Sequence, residues 1–108
     1  MIYEFRTYVA APGKMEALLA RFRDHTDRFF DKHGIRSIGY WTSNAEGEEN
    51  QLMYLLAFDN EQQRGRAWAA FLADPERRAI FDVSDKEGKL VSNLTTRVMT
   101  PTAFSKLR

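Results

Sequence analysis

The chain contains no cysteine. That excludes disulfides, thiolate metal ligands and cysteine nucleophiles, and it suits a reducing compartment. Histidine is nearly as scarce: only His25 and His33 occur. They sit on what reads as one helix, separated by about 12 Å along its axis, too far to share a metal ion. With the carboxylates scattered, neither a metal site nor a cofactor is expected. No long apolar run exists either. The most apolar stretch, Leu52 to Phe58, is too short to span a bilayer, and the N-terminus lacks the basic-then-apolar pattern of a secretory leader. A cytoplasmic protein without membrane contact is the expectation. Charge of one sign is missing as well: 16 Lys and Arg face 15 Asp and Glu, so no strong field draws the protein to nucleic acid. The six glycines form no phosphate-cradling loop and no G-x-S-x-G elbow.

What the 108 residues do contain is periodicity, at a length that fits one domain, residues 1–108. From Ile2 to Val9 the residues alternate, with Tyr3, Phe5, Thr7 and Val9 on one face and Ile2, Glu4, Arg6 and Tyr8 on the other. This predicts a strand with one dry and one mixed face. After Pro12 and Gly13, the positions Met15, Leu18, Leu19, Phe22, Phe29 and Phe30 recur at helical spacing, and Gly34 is a typical helix stop. A second strand is expected from about Ile35 to Thr42 and a third from Gln51 to Phe58, the latter apolar on both faces and therefore central. Asn60 followed by Gln63 resembles a capping box, opening a helix that carries Ala67, Trp68, Phe71 and Leu72 on its face. Asp74 and Pro75 cap a further short helix bearing Ile80 and Phe81, and a last strand covers about Leu90 to Met99.

The order strand, helix, strand, strand, helix, strand predicts an α+β, ferredoxin-like βαββαβ fold with a four-stranded antiparallel sheet, strands one and three at its centre. Right-handed crossovers place the helices on one sheet face and leave the other bare. Two bare faces packed together make a dimeric α+β barrel, and Glu4, Arg6 and Tyr8 are expected to line its interior.

The run Tyr3-Glu4-Phe5-Arg6-Thr7-Tyr8, then Pro12-Gly13-Lys14, resembles the opening of NIPSNAP-family domains. Further matches follow in order: His33-Gly34-Ile35, Ile38-Gly39-Tyr40-Trp41, Asn50-Gln51, Tyr54-Leu55, Asp74-Pro75-Glu76, Ser84, Pro101-Thr102 and Phe104-Ser105. The set covers nearly the whole chain. One departure is Arg77, where the family often has an aromatic residue after the Asp-Pro-Glu motif. The resemblance implies the dimeric α+β barrel group, whose other families include cofactor-independent monooxygenases, haem-degrading enzymes and isomerases, so the fold permits catalysis without requiring it.

Glu4 and Arg6, two apart on a strand, face the same side. They form a charged pair holding an anionic or carbonyl group, an internal salt bridge, or cross-dimer pairs that close the barrel. Tyr8 and Tyr54 present hydroxyls to a ligand or pack with a polar tip; Arg97 adds a second cation or sits exposed at the sheet edge. Either Tyr40 or Trp41 is expected to reach the cavity. His25 is a possible general base or a half-buried helix residue, and His33 a favourable charge near a helix C-terminus. The functional expectation is a homodimer binding a small aromatic or carbonyl-bearing molecule. Any chemistry would be proton transfer or oxygenation, with Arg6 stabilising an enolate-like anion and Glu4 or His25 moving the proton. The alternative is a non-catalytic interaction module. RNA recognition is disfavoured, because the third strand lacks the basic and aromatic signature of such modules.

Overall fold

A computed structural model describes residues Met1–Arg108. Strand β1 (Ile2–Ala10) is followed by a helix in three parts: α1 (Met15–Arg21), a π-helical turn (Phe22–Thr26) and α2 (Asp27–Lys32). Strands β2 (Arg36–Thr42) and β3 (Gln51–Phe58), helices α3 (Glu61–Ala73) and α4 (Pro75–Ser84), and strand β4 (Val91–Met99) complete the chain. The sheet order is β2-β3-β1-β4, antiparallel throughout, so β1 and β3 are central, as the two apolar faces of β3 require. No helix is long and apolar enough to cross a membrane.

The caps work as their sequences suggest. Asn60 accepts the Gln63 N–H at 2.8 Å while the Gln63 side chain accepts from the Asp59 N–H at 3.1 Å. Asp74 accepts from the N–H groups of Glu76 and Arg77, with Pro75 at the first helical position. The π-turn is less visible in the sequence. It inserts one extra residue, and since each residue of an α-helix turns by about 100°, it swings Phe30 into line with Leu18 and Phe22. All three are buried in one aromatic core with Tyr54 and Phe71.

One expectation is overturned here. Glu4, Arg6 and Tyr8 do not look into the bare side of the sheet. They lie beneath the helices: Glu4 accepts hydrogen bonds from Arg64 and Trp68 of α3, and Tyr8 packs edge-on against Phe22. The bare face is the one that reads as drier, with Phe5, Thr7 and Val9 beside Met53 and Leu55. The reason is that Glu4 and Arg6 neutralise one another and find enough donors and acceptors to be buried.

Strand β2 carries a bulge. Ser37 pairs with Leu56, but the next paired residue, Gly39, faces Leu55, leaving Ile38 extra. Ser37 and Tyr40 thereby share the helix side, and both hydroxyls donate to Asp27 Oδ1, at 2.7 and 2.6 Å. Trp41 goes to the bare face, 51% exposed.

Candidate functional site

The centre of the helix-facing layer is a closed polar network. Glu4 is fully buried. Its Oε1 accepts from Arg64 Nε at 2.6 Å and Trp68 Nε1 at 3.0 Å; its Oε2 accepts from Arg6 Nη1 at 2.6 Å and Thr96 Oγ1 at 3.0 Å. A carboxylate has about four lone-pair sites, and all are taken. Burial alone would raise this carboxyl's pKa, but hydrogen bonds from Arg6, Arg64 and Trp68 outweigh it and hold the group below its ordinary range. Glu4 therefore has no free lone pair with which to take a substrate proton.

Arg6 is equally engaged. Nε donates to the Tyr54 hydroxyl at 2.8 Å, Nη2 donates to the Tyr8 hydroxyl at 3.1 Å, and the guanidinium carbon lies 4.7 Å from the Trp68 ring centroid. Of the three readings of the Glu4 and Arg6 pair, the internal salt bridge is the one the geometry contains. Tyr54 is fully buried, and burial together with Tyr8 pushes its phenol well above the usual value.

Beside this network, between α1, α3, α4 and the β1–β4 side of the sheet, lies a cavity of about 380 Å³. Arg6 and Tyr8 reach it; its aromatic wall is Phe22, Phe30, Trp68, Phe71 and Phe81. The other residues expected at a site are dispersed. Tyr40 is bound to Asp27 in a separate recess of about 340 Å³ with Phe22 and Arg23. Burial and the Asp27 carboxylate push its phenol far above the ordinary range. Trp41 and Arg97 belong to the bare face, where Arg97 sits opposite Phe5, so neither reaches this cavity. His25 lines a separate surface groove between α1 and α4 with Ala17, Ala79 and Val83. His33 meets Asp74 at 2.7 Å, tying the end of α2 to the start of α4.

The cavity also holds cations that sequence reasoning passed over. Arg21, only 8% exposed, donates through Nη1 to Ser84 and Asp85, and its guanidinium carbon lies 4.2 Å from the Phe81 ring centroid. Arg77 lies 4.2 Å from the same centroid and 4.5 Å from that of Phe71. Burial and the charge of Arg21 pull the Arg77 guanidinium below its usual value. The signal was present: Arg21 follows Leu18 by three residues and Arg77 precedes Phe81 by four, so each lies on the apolar stripe of its helix.

The NIPSNAP family model matches residues 3–106. Mouse protein NipSnap homolog 3B is 32% identical over 79 residues, covering 73% of this chain and 31% of that protein. The chain thus spans about a third of the length of the curated relatives it matches. Among solved structures, protein Atu4242 from Agrobacterium tumefaciens superposes with a TM-score of 0.85 at 28% identity, covering 100% of both chains. An antibiotic biosynthesis monooxygenase shares the chain path at a TM-score of 0.61 and 9% identity, over 94% of this chain and 99% of that one. That last likeness is one of fold alone.

Proposed function

The chain belongs to the NIPSNAP family, and we propose that it binds a small aromatic or carbonyl-bearing molecule in the cavity between sheet and helices, as a homodimer. The observation that carries the reading is the cavity itself. Its volume of about 380 Å³ falls within the range of ligand pockets, about 300–1,000 Å³. The space opens to solvent past the exposed Leu72, Lys89 and Leu94 and is walled inside by five aromatic rings, the build of a ligand pocket with an entrance.

The bare sheet face supports the homodimer. Phe5, Val9, Met53 and Leu55 lie side by side on it, with Trp41 exposed at its β2 edge. A half-buried apolar strip of this kind, interrupted by Thr7 and bordered by Asn93, Thr95 and Arg97 of β4, is the sort of patch that another subunit covers. Face-to-face packing of two copies buries it without disturbing the helix side.

The test is saturation-transfer NMR with a panel of aromatic and carbonyl compounds on the native protein and on Leu94→Trp, which fills the cavity from its exposed β4 rim. Compounds that bind the native protein should lose their signal in the variant. Unchanged binding in Leu94→Trp would place the ligand elsewhere and overturn the reading; a protein that binds nothing in the panel would return it to an interaction module.

A further inference from the structure

We propose that the ligand of this cavity is an anion, specifically an aromatic molecule bearing one carboxylate, and that Arg77 with Arg21 and Thr26 recognises that carboxylate. The proposal rests on the small-molecule reading of the cavity and adds its chemical class. Three buried side-chain polar atoms in the protein have no hydrogen-bond partner: Arg21 Nε, Thr26 Oγ1 and Arg77 Nε. All three residues line this one cavity. Both Arg21 and Arg77 hold their guanidinium carbons 4.2 Å from the Phe81 centroid, so twice that distance is the most that can separate them. Thr26 is 3% exposed and Arg21 is 8% exposed, so solvent offers these groups little.

The charge inventory sets the sign and the number. Arg6 is neutralised by Glu4 and Arg21 by Asp85. Arg77 makes no salt bridge, and the other cation on the lining, Lys89, is exposed at the rim. One uncompensated cation inside the cavity suits a monoanion, and a guanidinium suits the planar geometry of a carboxylate. The aromatic wall supplies the partner for a ring attached to it. Arg77 is half-buried and its Nε is buried without a partner, which is costly, and its stacking on Phe71 and Phe81 could be provided as well by an uncharged side chain. The charge is needed only if something negative enters.

The experiment titrates benzoate, phenylacetate and 1-naphthoate, with 1-naphthamide as the uncharged isostere and inorganic phosphate as the anion without a ring. Each is measured by calorimetry and thermal shift on the native protein, Arg77→Met, Arg77→Lys and Leu94→Trp. At least one aromatic carboxylate should bind the native protein at least tenfold more tightly than the amide does, and Arg77→Met should remove that preference. Arg77→Lys should keep part of it. Arg77→Met should melt at or above the native temperature, which separates lost recognition from a damaged fold. Amide and carboxylate binding equally, with Arg77→Met unaffected, would overturn the anion class while leaving the cavity as a ligand site. Tighter binding of phosphate than of any carboxylate would overturn the aromatic acid. Binding that persists in Leu94→Trp, or none at all, would overturn the underlying cavity reading as well.

Discussion

Replacing Glu4 by glutamine keeps the shape of the side chain and removes its charge, and the network around it makes the cost calculable. An amide has one acceptor oxygen. Turned one way, its NH₂ meets the donors of Arg6 and Thr96; turned the other, it meets those of Arg64 and Trp68. Removing one partner of a buried, hydrogen-bonded ion pair costs about 3–5 kcal/mol. The lower end applies, because Arg64 is 22% exposed and retains Glu61 at 2.8 Å as an alternative partner. With a urea slope of about 1.5 kcal/mol/M, a loss of about 3 kcal/mol moves the midpoint down by about 2 M, at one fixed protein concentration. For a domain of this size the melting temperature should fall by about 12 °C or more. The sign with pH follows from the lowered carboxyl pKa. The unfolded chain takes up the Glu4 proton near the ordinary value of 4.5 and the folded protein only below it. The contribution is therefore complete above that value and is lost as pH falls through the folded one. Glu4→Gln should flatten the stability curve in that acidic window. Adding Arg6→Met to Glu4→Leu should recover part of the loss of Glu4→Leu alone, because one stranded cation goes with it. A Glu4→Gln protein within about 0.5 kcal/mol of native, or a double variant worse than the sum of its singles, would refute the reasoning.

Asp74 accepts from Lys32 and His33 at 2.7 Å and from two backbone N–H groups of α4, which together hold its carboxyl far below the usual range. Asp74→Asn keeps a capping oxygen but loses the charge, so its urea midpoint should lie below native at neutral pH. The gap should narrow as pH falls below the ordinary carboxylate value; a gap constant from about pH 5 to about pH 2 would sink the idea. On the bare face, Trp41→Glu places a charge at the edge of the surface proposed to pair with a second copy, and light scattering at micromolar concentration should show the mass falling from dimer to monomer. A native protein already monomeric under those conditions would remove the dimer.

Much of the architecture was legible because it depends on local rules. Gly34 at φ 76° ends the first helix, Asn60 and Asp74 cap the next two, and the doubly apolar β3 lies inside the sheet. The facing of β1 was not legible from its own alternation. Two charges suggest a wet face when the strand is read alone, but Tyr54, Trp68, Arg64 and Thr96 come from three other elements to satisfy them. Nor does alternation see a bulge. With Ile38 extra, Ser37 and Tyr40 fall on one face although their numbers differ by an odd step, and the choice between Tyr40 and Trp41 could not be made by parity. Arg21 and Arg77 were missed because a charged residue on an apolar helical stripe reads as solvated unless its neighbours in space are known.

The two arginine arrangements of this layer do different work. Arg6 has a partner at each of its three nitrogens and a ring beneath it, so its interactions are complete within the folded chain. It joins β1 to Tyr54 of β3 directly and to α3 through Glu4, and removing it should cost stability whether or not any ligand exists. Arg77 has two rings and no carboxylate. A methionine could make the same contacts without leaving a buried N–H unpaired, so the contacts of the folded chain do not account for the guanidinium. Stability and ligand affinity should therefore fall together at Arg6 and move in opposite directions at Arg77. That contrast separates a residue that builds the cavity from one that reads what enters it.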